Sequence, residues 1–224
     1  MKRDKITTIT KVTEVGVADY ERELYGNLSP VASLVKRGFD VVASLLGLIL
    51  SSPFFLLIAI LIKREDGHSP IYRQERIGYR GKPFTLYKFR SMTICSEKDG
   101  KPALCQKDDK RLTKIGRFLR HHHLDELPQL WNVLKGDMSF VGPRPERKYF
   151  ADQIKAINPD YELLYQVRPG LFSPATLYNG YTDTMEKMLI RLRMDLDYLR
   201  TRTFWLDCKI ILLTIASILL GKKF

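Results

Sequence analysis

The chain contains few cysteines. It has three among 224 residues, Cys95, Cys105 and Cys208. Their number is odd and their spacing does not match a set of metal ligands, which argues against a zinc site and favours a reducing compartment. The sequence also lacks internal repeats, low-complexity tracts and a cleavable signal peptide, because its first apolar run starts after residue 40 without a small-residue cleavage pattern. The length suits one domain with a sizeable core.

Acidic residues are in the minority. The chain has 25 Asp and Glu against 37 Lys and Arg, which gives a formal net charge of +12 at pH 7. Such an excess predicts an anionic partner, and composition leaves nucleic acid, anionic lipid and a phosphorylated substrate open. The charged residues within 93–110 mix both signs, which is typical of solvated surface.

One apolar segment contrasts with this charge. Residues 41–62 contain no charged residue and are long enough to cross a bilayer as one straight helix. Ser52 and Pro53 interrupt the middle, where proline removes a backbone donor and kinks a helix. Basic pairs at 36–37 and 63–64 flank both ends, so no charge bias sets an orientation. These features favour a helix that enters and leaves by one membrane face, and a kinked transmembrane anchor stays open.

The chain is organised around residues 111–145, where two adjacent carboxylates lie between a basic helical run and a proline. The pattern predicts that Asp125 is the N-cap of a helix with Glu126 and Pro128 in its first turn. Proline is tolerated there because first-turn N–H groups have no intrahelical partner. Gly136 marks the predicted end of this helix.

This placement predicts the electrostatics of the pair. Free N–H groups and the helix dipole favour negative charge, so we expect Asp125 to stay ionised and a phosphate to dock beside it. Four arginines, whose planar forks suit phosphate, surround the pair in sequence: Arg117, Arg120, Arg144 and Arg147. Residue types alone leave three roles open for the carboxylate, namely a nucleophile, a metal ligand and a structural ion pair.

A longer motif carries a resemblance to a known family. Four blocks follow in order: Asp125-Glu126-Leu127-Pro128-Gln129-Leu130, Asn132-Val133, Gly136-Asp137-Met138-Ser139 and Val141-Gly142-Pro143-Arg144-Pro145. Two further blocks match as well: Lys88-Phe89-Arg90-Ser91-Met92 and Val167-Arg168-Pro169-Gly170. The chain resembles the bacterial sugar transferases from about Lys36 to its end. More narrowly, it resembles the small, catalytic-domain-only form of the monotopic polyprenyl-phosphate phosphoglycosyl transferases.

The resemblance implies a reaction. A sugar 1-phosphate moves from a UDP-sugar to polyprenyl (undecaprenyl) phosphate, UMP is released, and a covalent aspartyl-phosphosugar intermediate forms on Asp125. Magnesium is the implied cofactor with Asp125 as its protein ligand, and Glu126 orients the metal or handles a proton. The implied setting is the cytoplasmic face of a bacterial inner membrane, at the first membrane step of glycoconjugate synthesis (capsule, exopolysaccharide, O-antigen or glycoprotein glycan).

The resemblance also implies roles for other residues. Phosphate or diphosphate binding is expected of four basic side chains: Lys88, Arg90, Arg120 and Arg144. Ser52 and Pro53 are the implied hinge of a re-entrant membrane helix. The expected partners are a UDP-sugar, polyprenyl phosphate and membrane lipids, without nucleic acid, and a homodimer stays open.

Two stretches depart from the family pattern. His121, His122 and His123 lie where small hydroxyl residues are usual, and consecutive helical residues diverge too far to chelate one ion. We expect a basic patch there, with His123 able to shift the pH profile. The segment Phe172–Ala175 replaces a Thr-Gly-Trp type of pattern, so the resemblance does not say which sugar or nucleotide is recognised.

Apolar residues return towards the C-terminus. Residues 185–202 carry an apolar stripe at helical spacing that suits either a membrane surface or a protein core. Asp195-Leu196-Asp197 matches the D-x-D of metal-dependent glycosyltransferases, but Leu196 belongs to the stripe, which indicates aspartates flanking a buried leucine. Residues 210–220 are too short to span about 30 Å of hydrocarbon. We expect them to pack against the membrane segment or lie in the interface.

The predicted fold is a helix-rich α+β domain on a re-entrant membrane helix, with amphipathic interfacial helices and strand and turn structure over 69–92. It has three predicted parts: an N-terminal extension at 1–30, a membrane helix at 31–66 and a catalytic domain at 67–224. A short helix is expected within the extension, around Asp19–Tyr25. The alternative hypothesis is a non-enzymatic, membrane-anchored basic protein that binds anionic lipid or nucleic acid. It explains the charge and the apolar segment but not the carboxylate pair amid arginines.

Overall fold

The structure is a computed structural model that describes residues 28–94, 96, 102, 104, 109–179 and 182–220. As predicted, this part of the chain is a helix-rich α+β fold. Its α-helices are α1 (Pro30–Asp66), α2 (Lys114–His121), α3 (Gln129–Lys135), α4 (Lys148–Ile157), α5 (Pro174–Tyr178), α6 (Met185–Thr201) and α7 (Phe204–Leu219). Its strands are β1 (Ile71–Ile77), β2 (Pro83–Phe89), β3 (Ser139–Val141) and β4 (Gly170–Phe172), and 3-10 turns cover Tyr79–Gly81, Leu124–Glu126 and Pro159–Gln166. The short helix predicted around Asp19–Tyr25 lies outside the described residues.

Helix α1 continues through the predicted interruption. The Ser29 side chain caps its first turn, and Gly67 ends it in the left-handed conformation. Pro53 has no N–H to donate to the carbonyl of Ile49, and the Ser52 hydroxyl donates to that carbonyl instead, at 2.8 Å. The Ser-Pro pair therefore removes a backbone donor from the helix without leaving the acceptor unpaired.

The N-terminal end of α1 is fastened to the folded domain. Arg37 donates to the carbonyls of Val133 and Leu134 at 2.7 and 2.9 Å, where α3 ends. Asp40 is buried and accepts the Phe140 N–H of β3 at 3.1 Å. Arg37 belongs to the basic pair that flanks the apolar segment in sequence. In the structure it satisfies free carbonyls at the C-terminus of α3.

The other end of α1 contacts the same domain. Glu65 accepts the Lys114 N–H at 2.8 Å at the start of α2, and Asp66 forms a two-armed ion pair with Arg90 just after β2. Between the ends, α1 residues that are buried or packed on the domain recur at helical spacing: Asp40, Ser44, Gly47, Phe55, Ile58 and Ile62. One face of α1 therefore contacts the domain from end to end.

The opposite face of α1 is apolar and exposed. Its members include Leu34, Leu46, Ile49, Leu50, Phe54, Leu57 and Leu61. Within the described part of the chain, α1 is long and apolar enough to cross a membrane, judged by length and composition.

The strand and turn structure predicted for 69–92 is confirmed. Strands β1 and β2 pair antiparallel along their full lengths. The Asn132 side chain of α3 donates to the carbonyl of Thr85 at 2.7 Å and accepts the N–H of Tyr87 at 3.1 Å. Phe89 is buried at the end of β2. The amide of Asn132 therefore fixes β2, and with it Lys88, against the helix that follows the carboxylate pair.

Strands β3 and β4 bring two distant motif blocks together. They pair parallel, with Ser139 opposite Gly170 and Val141 opposite Phe172. A Cβ on Gly170 would lie 2.1 Å from the backbone nitrogen of Gly142, so this approach requires glycine. The chain that leaves β3 towards Arg144 is positioned by this contact.

Helix α6 settles two alternatives. Four residues of its apolar stripe lie in the largest buried core: Met188, Leu192, Leu196 and Leu199. The core interpretation is therefore correct for this helix, and the membrane-surface interpretation is wrong. Asp195 is buried at 2% exposure, whereas Asp197 is exposed, so the two aspartates do not converge as a D-x-D site.

The C-terminal helix contacts the start of α1 through residues that precede the predicted apolar run, and packing of residues 210–220 on the membrane segment stays a prediction. Helix α7 begins at Phe204, six residues before the predicted apolar run, and the ring of Phe204 lies 6.4 Å from that of Phe39 in α1. Asp207 forms an ion pair with Lys36. The outer face of α7 exposes apolar side chains, among them Trp205, Leu212, Leu213 and Ile215.

Candidate active site

The carboxylate pair lies in a 3-10 turn. The predicted N-cap at Asp125 is wrong, because His123 precedes the turn in the left-handed conformation (φ 55°) and helical torsions continue through Leu127 and Pro128 into α3. The helical backbone thus starts before Asp125, so Asp125 lies within the turn and does not cap it. The predicted stop is confirmed, since Gly136 ends α3 at φ 97°.

Two cations hold Glu126. Lys88 Nζ donates to Oε1 at 2.6 Å, and Arg144 Nη2 donates to the same oxygen at 2.7 Å. Burial alone would raise the pKa of Glu126, but Arg144 and Lys88 outweigh burial and hold this pKa well below its ordinary value. Glu126 is therefore an ionised carboxylate whose orientation is set by its partners.

Asp125 has a different environment. The residue is 6% exposed, and no described residue forms a hydrogen bond or an ion pair with its carboxylate. Burial raises the pKa of Asp125 and the charge of Glu126 adds to this, while Lys88 and Arg120 act in the opposite sense. The direction is opposite to the one expected from the helix dipole, because burial dominates.

Both carboxylates border a cavity of about 670 Å³. The cavity wall carries many basic side chains: Arg76, Lys88, Arg90, Arg120, Arg144, Arg147 and Arg191. All four residues expected to bind phosphate are among them. Apolar residues of β3, β4, α5 and α7 line other parts of the wall, including Phe140, Phe172, Leu177 and Ile218. A concave site with this excess of positive charge suits an anionic ligand.

Arg90 has a structural partner in addition to its place on the cavity wall. Its guanidinium binds the Asp66 carboxylate and donates to the carbonyl of Ser69 at 2.8 Å. These contacts link the C-terminal end of α1 to β2. Phosphate binding by Arg90 stays a prediction.

The three consecutive histidines differ in exposure: His123 is half-buried, and the other two are exposed. His123 borders the cavity, and burial lowers the pKa of its imidazole against the charges of Glu126 and Asp125. His121 and His122 are exposed, and the ring of His122 lies 4.4 Å from that of Phe118. In the described part of the chain, no three His, Cys, Asp or Glu side chains are grouped as metal ligands.

An ion cluster behind Arg144 was not predicted from the sequence. Glu146 binds Arg76 of β1 and Arg191 of α6, and all three border the cavity. The three residues are far apart in sequence, so no local spacing connects them. A weak signal was present: Glu146 is an acidic residue directly after a block that carries arginine and two prolines.

Comparison with known proteins identifies the family. A profile described as bacterial sugar transferase matches residues 31–221, a range that includes α1, the carboxylate pair and α7. The chain belongs to the bacterial sugar transferase family. The matched range contains every element that borders the cavity.

Similar members of the sugar transferase family have names that specify a reaction. The chain is 45% identical over 197 residues to a UDP-glucose:undecaprenyl-phosphate glucose-1-phosphate transferase of Caulobacter vibrioides, covering 87% of this chain and 73% of that protein. It is 44% identical over 198 residues to the Klebsiella pneumoniae protein of the same name, covering 88% and 42%. It is also 40% identical over 193 residues to a UDP-N-acetylgalactosamine-undecaprenyl-phosphate N-acetylgalactosaminephosphotransferase of Aeromonas hydrophila, covering 86% and 45%. The chain thus spans less than half the length of the last two relatives.

Proposed function

We propose that this chain transfers a sugar 1-phosphate from a UDP-sugar to polyprenyl phosphate and releases UMP. The names of its relatives support this class of reaction, although they differ in the sugar that they state. The basic cavity supports it as well, because both substrates are phosphorylated. The relatives name two sugars, so we do not assign one here.

The observation that carries the proposal is the contrast between the two carboxylates. Glu126 is bound by Lys88 and Arg144, whereas Asp125 borders the cavity and has no such partner among the residues that the structure describes. A carboxylate that makes no ion pair of its own and lies beside cations fixed in place by another residue is suited to act as a nucleophile. We therefore assign the covalent step to Asp125.

The proposed reaction has two displacements at one phosphorus atom. An Asp125 carboxylate oxygen attacks the sugar-linked phosphorus, the bond to the bridging oxygen breaks, and UMP leaves with that oxygen. A phosphate oxygen of the polyprenyl phosphate then attacks the same phosphorus and displaces the aspartate as a free carboxylate. Covalent catalysis suits this case because two anionic substrates need not be held together in one step.

We assign the basic residues of the cavity wall to binding the negatively charged phosphates of the substrates. Arg144 and Lys88 hold Glu126 and lie at the edge of the cavity where a diphosphate would meet Asp125. Arg120 borders the same space and favours the ionised form of Asp125. We propose that these cations bind the diphosphate and the acceptor phosphate, since fixed cations stabilise developing negative charge on phosphoryl oxygens.

Magnesium fits the site in one specific way. The described residues offer Asp125 as an uncommitted carboxylate but no cage of three protein ligands. Mg²⁺ is usually held by one or two carboxylates together with substrate phosphates and water, which matches this donor set. We propose Asp125 as the protein ligand, with the ion offsetting diphosphate charge when it is bound.

We propose that α1 is re-entrant, with Ser52 and Pro53 as its hinge, and that the domain lies on the cytoplasmic face of the bacterial inner membrane. Two observations support a monotopic arrangement. Both ends of α1 contact one folded domain, and a helix that crossed the bilayer would separate its ends. The outward faces of α1 and α7 are both apolar. The homodimer stays a prediction.

The nucleotide product tests the function. The protein in detergent is incubated with a panel of UDP-sugars and polyprenyl phosphate, and UMP and UDP are quantified separately. We expect UMP. Release of UDP would instead indicate an ordinary glycosyltransferase, and binding of polyanions without any nucleotide release would favour the non-enzymatic alternative.

The nucleophile is tested by trapping. Incubation with the UDP-sugar alone, followed by peptide mass spectrometry, should show a sugar-phosphate adduct on the Asp125 peptide. Asp125→Asn should lower UMP release by roughly three orders of magnitude or more, while the exposed Asp197→Asn serves as a control that keeps activity. Full turnover by Asp125→Asn, or an adduct found solely on another residue, would refute the assignment.

A further inference from the structure

A buried carboxylate lies directly behind the site. Glu146 comes two residues after Arg144 and is 6% exposed. Arg76 of β1 donates to its Oε2 at 3.3 Å, and Arg191 of α6 forms a close ion pair with its Oε1. Glu146 thus connects a strand and a helix that approach the cavity from different sides.

The backbone of the same segment is held by β1 as well. On the β1 side, Arg76 Nη1 donates to the carbonyl of Pro145 at 3.0 Å. The N–H of Ile77, also in β1, donates to the carbonyl of Glu146 at 3.0 Å. From this position the guanidinium of Arg144 reaches Glu126 at 2.7 Å. The segment 144–146 is therefore held by β1 through its backbone and by α6 through the Glu146 side chain, at the place where it presents Arg144 to the site.

We propose that Glu146 is a positioning residue that anchors the Arg144 segment between β1 and α6, so that the Arg144 guanidinium stays on Glu126 and faces the diphosphate. This inference rests on the proposed function. Arg144 touches the carboxylate pair and the space for the substrate, whereas Glu146 acts through Arg144.

The charges around Glu146 predict a large effect. Four arginines border the cavity on this side: Arg76, Arg144, Arg147 and Arg191. If the Glu146 charge is removed, the buried Arg191 and the half-buried Arg76 lose the carboxylate that they share, and uncompensated charges in such places are strongly unfavourable. We expect segment 144–146 to move in response to these uncompensated charges. A displacement of about 1 Å at a reacting group can lower the rate about a hundredfold.

A double-mutant cycle separates positioning from general stability. UMP release is measured for the wild type, Glu146→Gln, Arg144→Ala and the double variant, each at a temperature where it is folded. We expect Glu146→Gln to lower kcat by about ten- to a hundredfold. In the Arg144→Ala background the same change should lower kcat less than about threefold, because its target is already gone. Losses that multiply, or an unchanged kcat in Glu146→Gln, would overturn the inference.

Asp207→Asn is the matched control. Asp207 is a buried carboxylate that binds Lys36 and accepts from the Tyr198 hydroxyl at 2.7 Å, and it does not border the cavity. Its loss should lower thermal stability while kcat stays within about twofold of the wild type. If Glu146→Gln does not fold, Glu146→Asp takes its place in the cycle, since it keeps the charge but withdraws the carboxylate by one methylene.

A second readout keeps this inference separate from the proposed function. If the wild type releases no UMP with any UDP-sugar, the proposed function fails, and amide hydrogen exchange then decides the structural part. Glu146→Gln should accelerate exchange in the peptide that contains Arg144 by about tenfold or more, and Asp207→Asn should not. Unchanged exchange around Arg144 would refute the anchoring role.

Discussion

Asp125 and Glu126 are neighbours in the chain and differ in their surroundings. Asp125 is buried and Glu126 is half-buried, and burial favours the neutral form of each carboxyl group. The Glu126 side chain reaches Lys88 and Arg144, so its pKa falls, whereas Asp125 has these cations only at longer range and its pKa rises. A difference in contacts of this kind assigns two roles to two chemically similar side chains.

The pH dependence of UMP release on the acidic side, the acid limb of the rate profile, can be predicted from Asp125. In the proposed reaction the ionised carboxylate of Asp125 attacks phosphorus, and the pKa of this group is raised, so UMP release should decline as pH falls through a value above the ordinary pKa of an aspartate. Lys88 lowers this pKa, so Lys88→Met should move the limb to higher pH. Single-turnover UMP release as a function of pH measures both, with the exposed Lys148→Met as control. A limb that stays in place or moves to lower pH would contradict this assignment.

Arg144 is expected to need its guanidinium and not only its charge. It meets Glu126 through one nitrogen, which leaves its other donors to bind a phosphate oxygen alongside. Arg144→Lys keeps the charge but loses the fork, so kcat/KM for the UDP-sugar should fall about tenfold or more. Arg193→Lys, at an exposed position on α6, is the matched control. Full activity of Arg144→Lys at limiting substrate would disprove a bidentate role.

At the scale of elements, α1 combines a long apolar face with a face docked on the domain. The Ser52 hydroxyl replaces the donor that Pro53 lacks, which allows a proline to persist in a continuous helix. Arg37, Asp40, Glu65 and the domain residues that they contact fix both ends. The element therefore docks one face on the domain and leaves apolar side chains exposed on the other.

Labelling from one side tests this arrangement. After the three native cysteines are replaced by serine, single cysteines at Leu34 and Arg64, both exposed, are introduced and reacted with a membrane-impermeant maleimide in oriented vesicles. We expect both to be labelled from the same side, since one domain holds both ends of α1. Pro53→Leu returns the missing backbone donor at the proposed hinge and should shift part of the Arg64→Cys population to the opposite side. Labelling of the two positions from opposite sides in the unaltered helix would rule out the re-entrant arrangement.

Helix α6 carries a titratable group in the core. Burial raises the pKa of Asp195 to about 7, against the influence of Arg191 and the Ser173 hydroxyl. Because this pKa lies above the unfolded value, the contribution of Asp195 to stability is complete below about pH 4 and is lost as pH rises through about 7. The free energy of unfolding of the wild type relative to Asp195→Asn should therefore fall across this range.

Urea unfolding in detergent at several pH values measures that difference. Asp197→Asn, on the exposed side of the same helix, should show no such pH dependence relative to the wild type. A wild-type stability that rises relative to Asp195→Asn between about pH 4 and 7 would have the wrong sign and would contradict the buried, protonated state.

At the scale of the whole molecule, charge and apolar surface occupy different places. Basic side chains concentrate on the cavity wall, and apolar side chains are exposed on α1 and α7. Helix α7 contributes to both, because Thr214 and Ile218 border the cavity while Leu212 and Leu213 face outwards. An acceptor with a phosphate head and a hydrocarbon chain suits this arrangement.

Local rules of the backbone made several elements predictable. Gly136 ends α3 because only glycine adopts its left-handed torsion without strain, and the alternating strand pattern with a polar turn defines the β1–β2 hairpin. The apolar segment between charged flanks was recognisable from composition. The motif blocks led to the family because their order is specific, and the profile match to 31–221 agrees with it.

The sequence by itself determined the family, the helix-rich α+β class and the carboxylates and basic residues that were predicted to lie together and do border one cavity. Only the tertiary structure decided how that set is divided. It bound Glu126 to Lys88 and Arg144, left Asp125 facing the cavity, turned the stripe of α6 inwards and brought Glu146 behind Arg144. Burial and long-range ion pairs govern these outcomes, and both depend on segments far apart in the chain that local spacing does not relate.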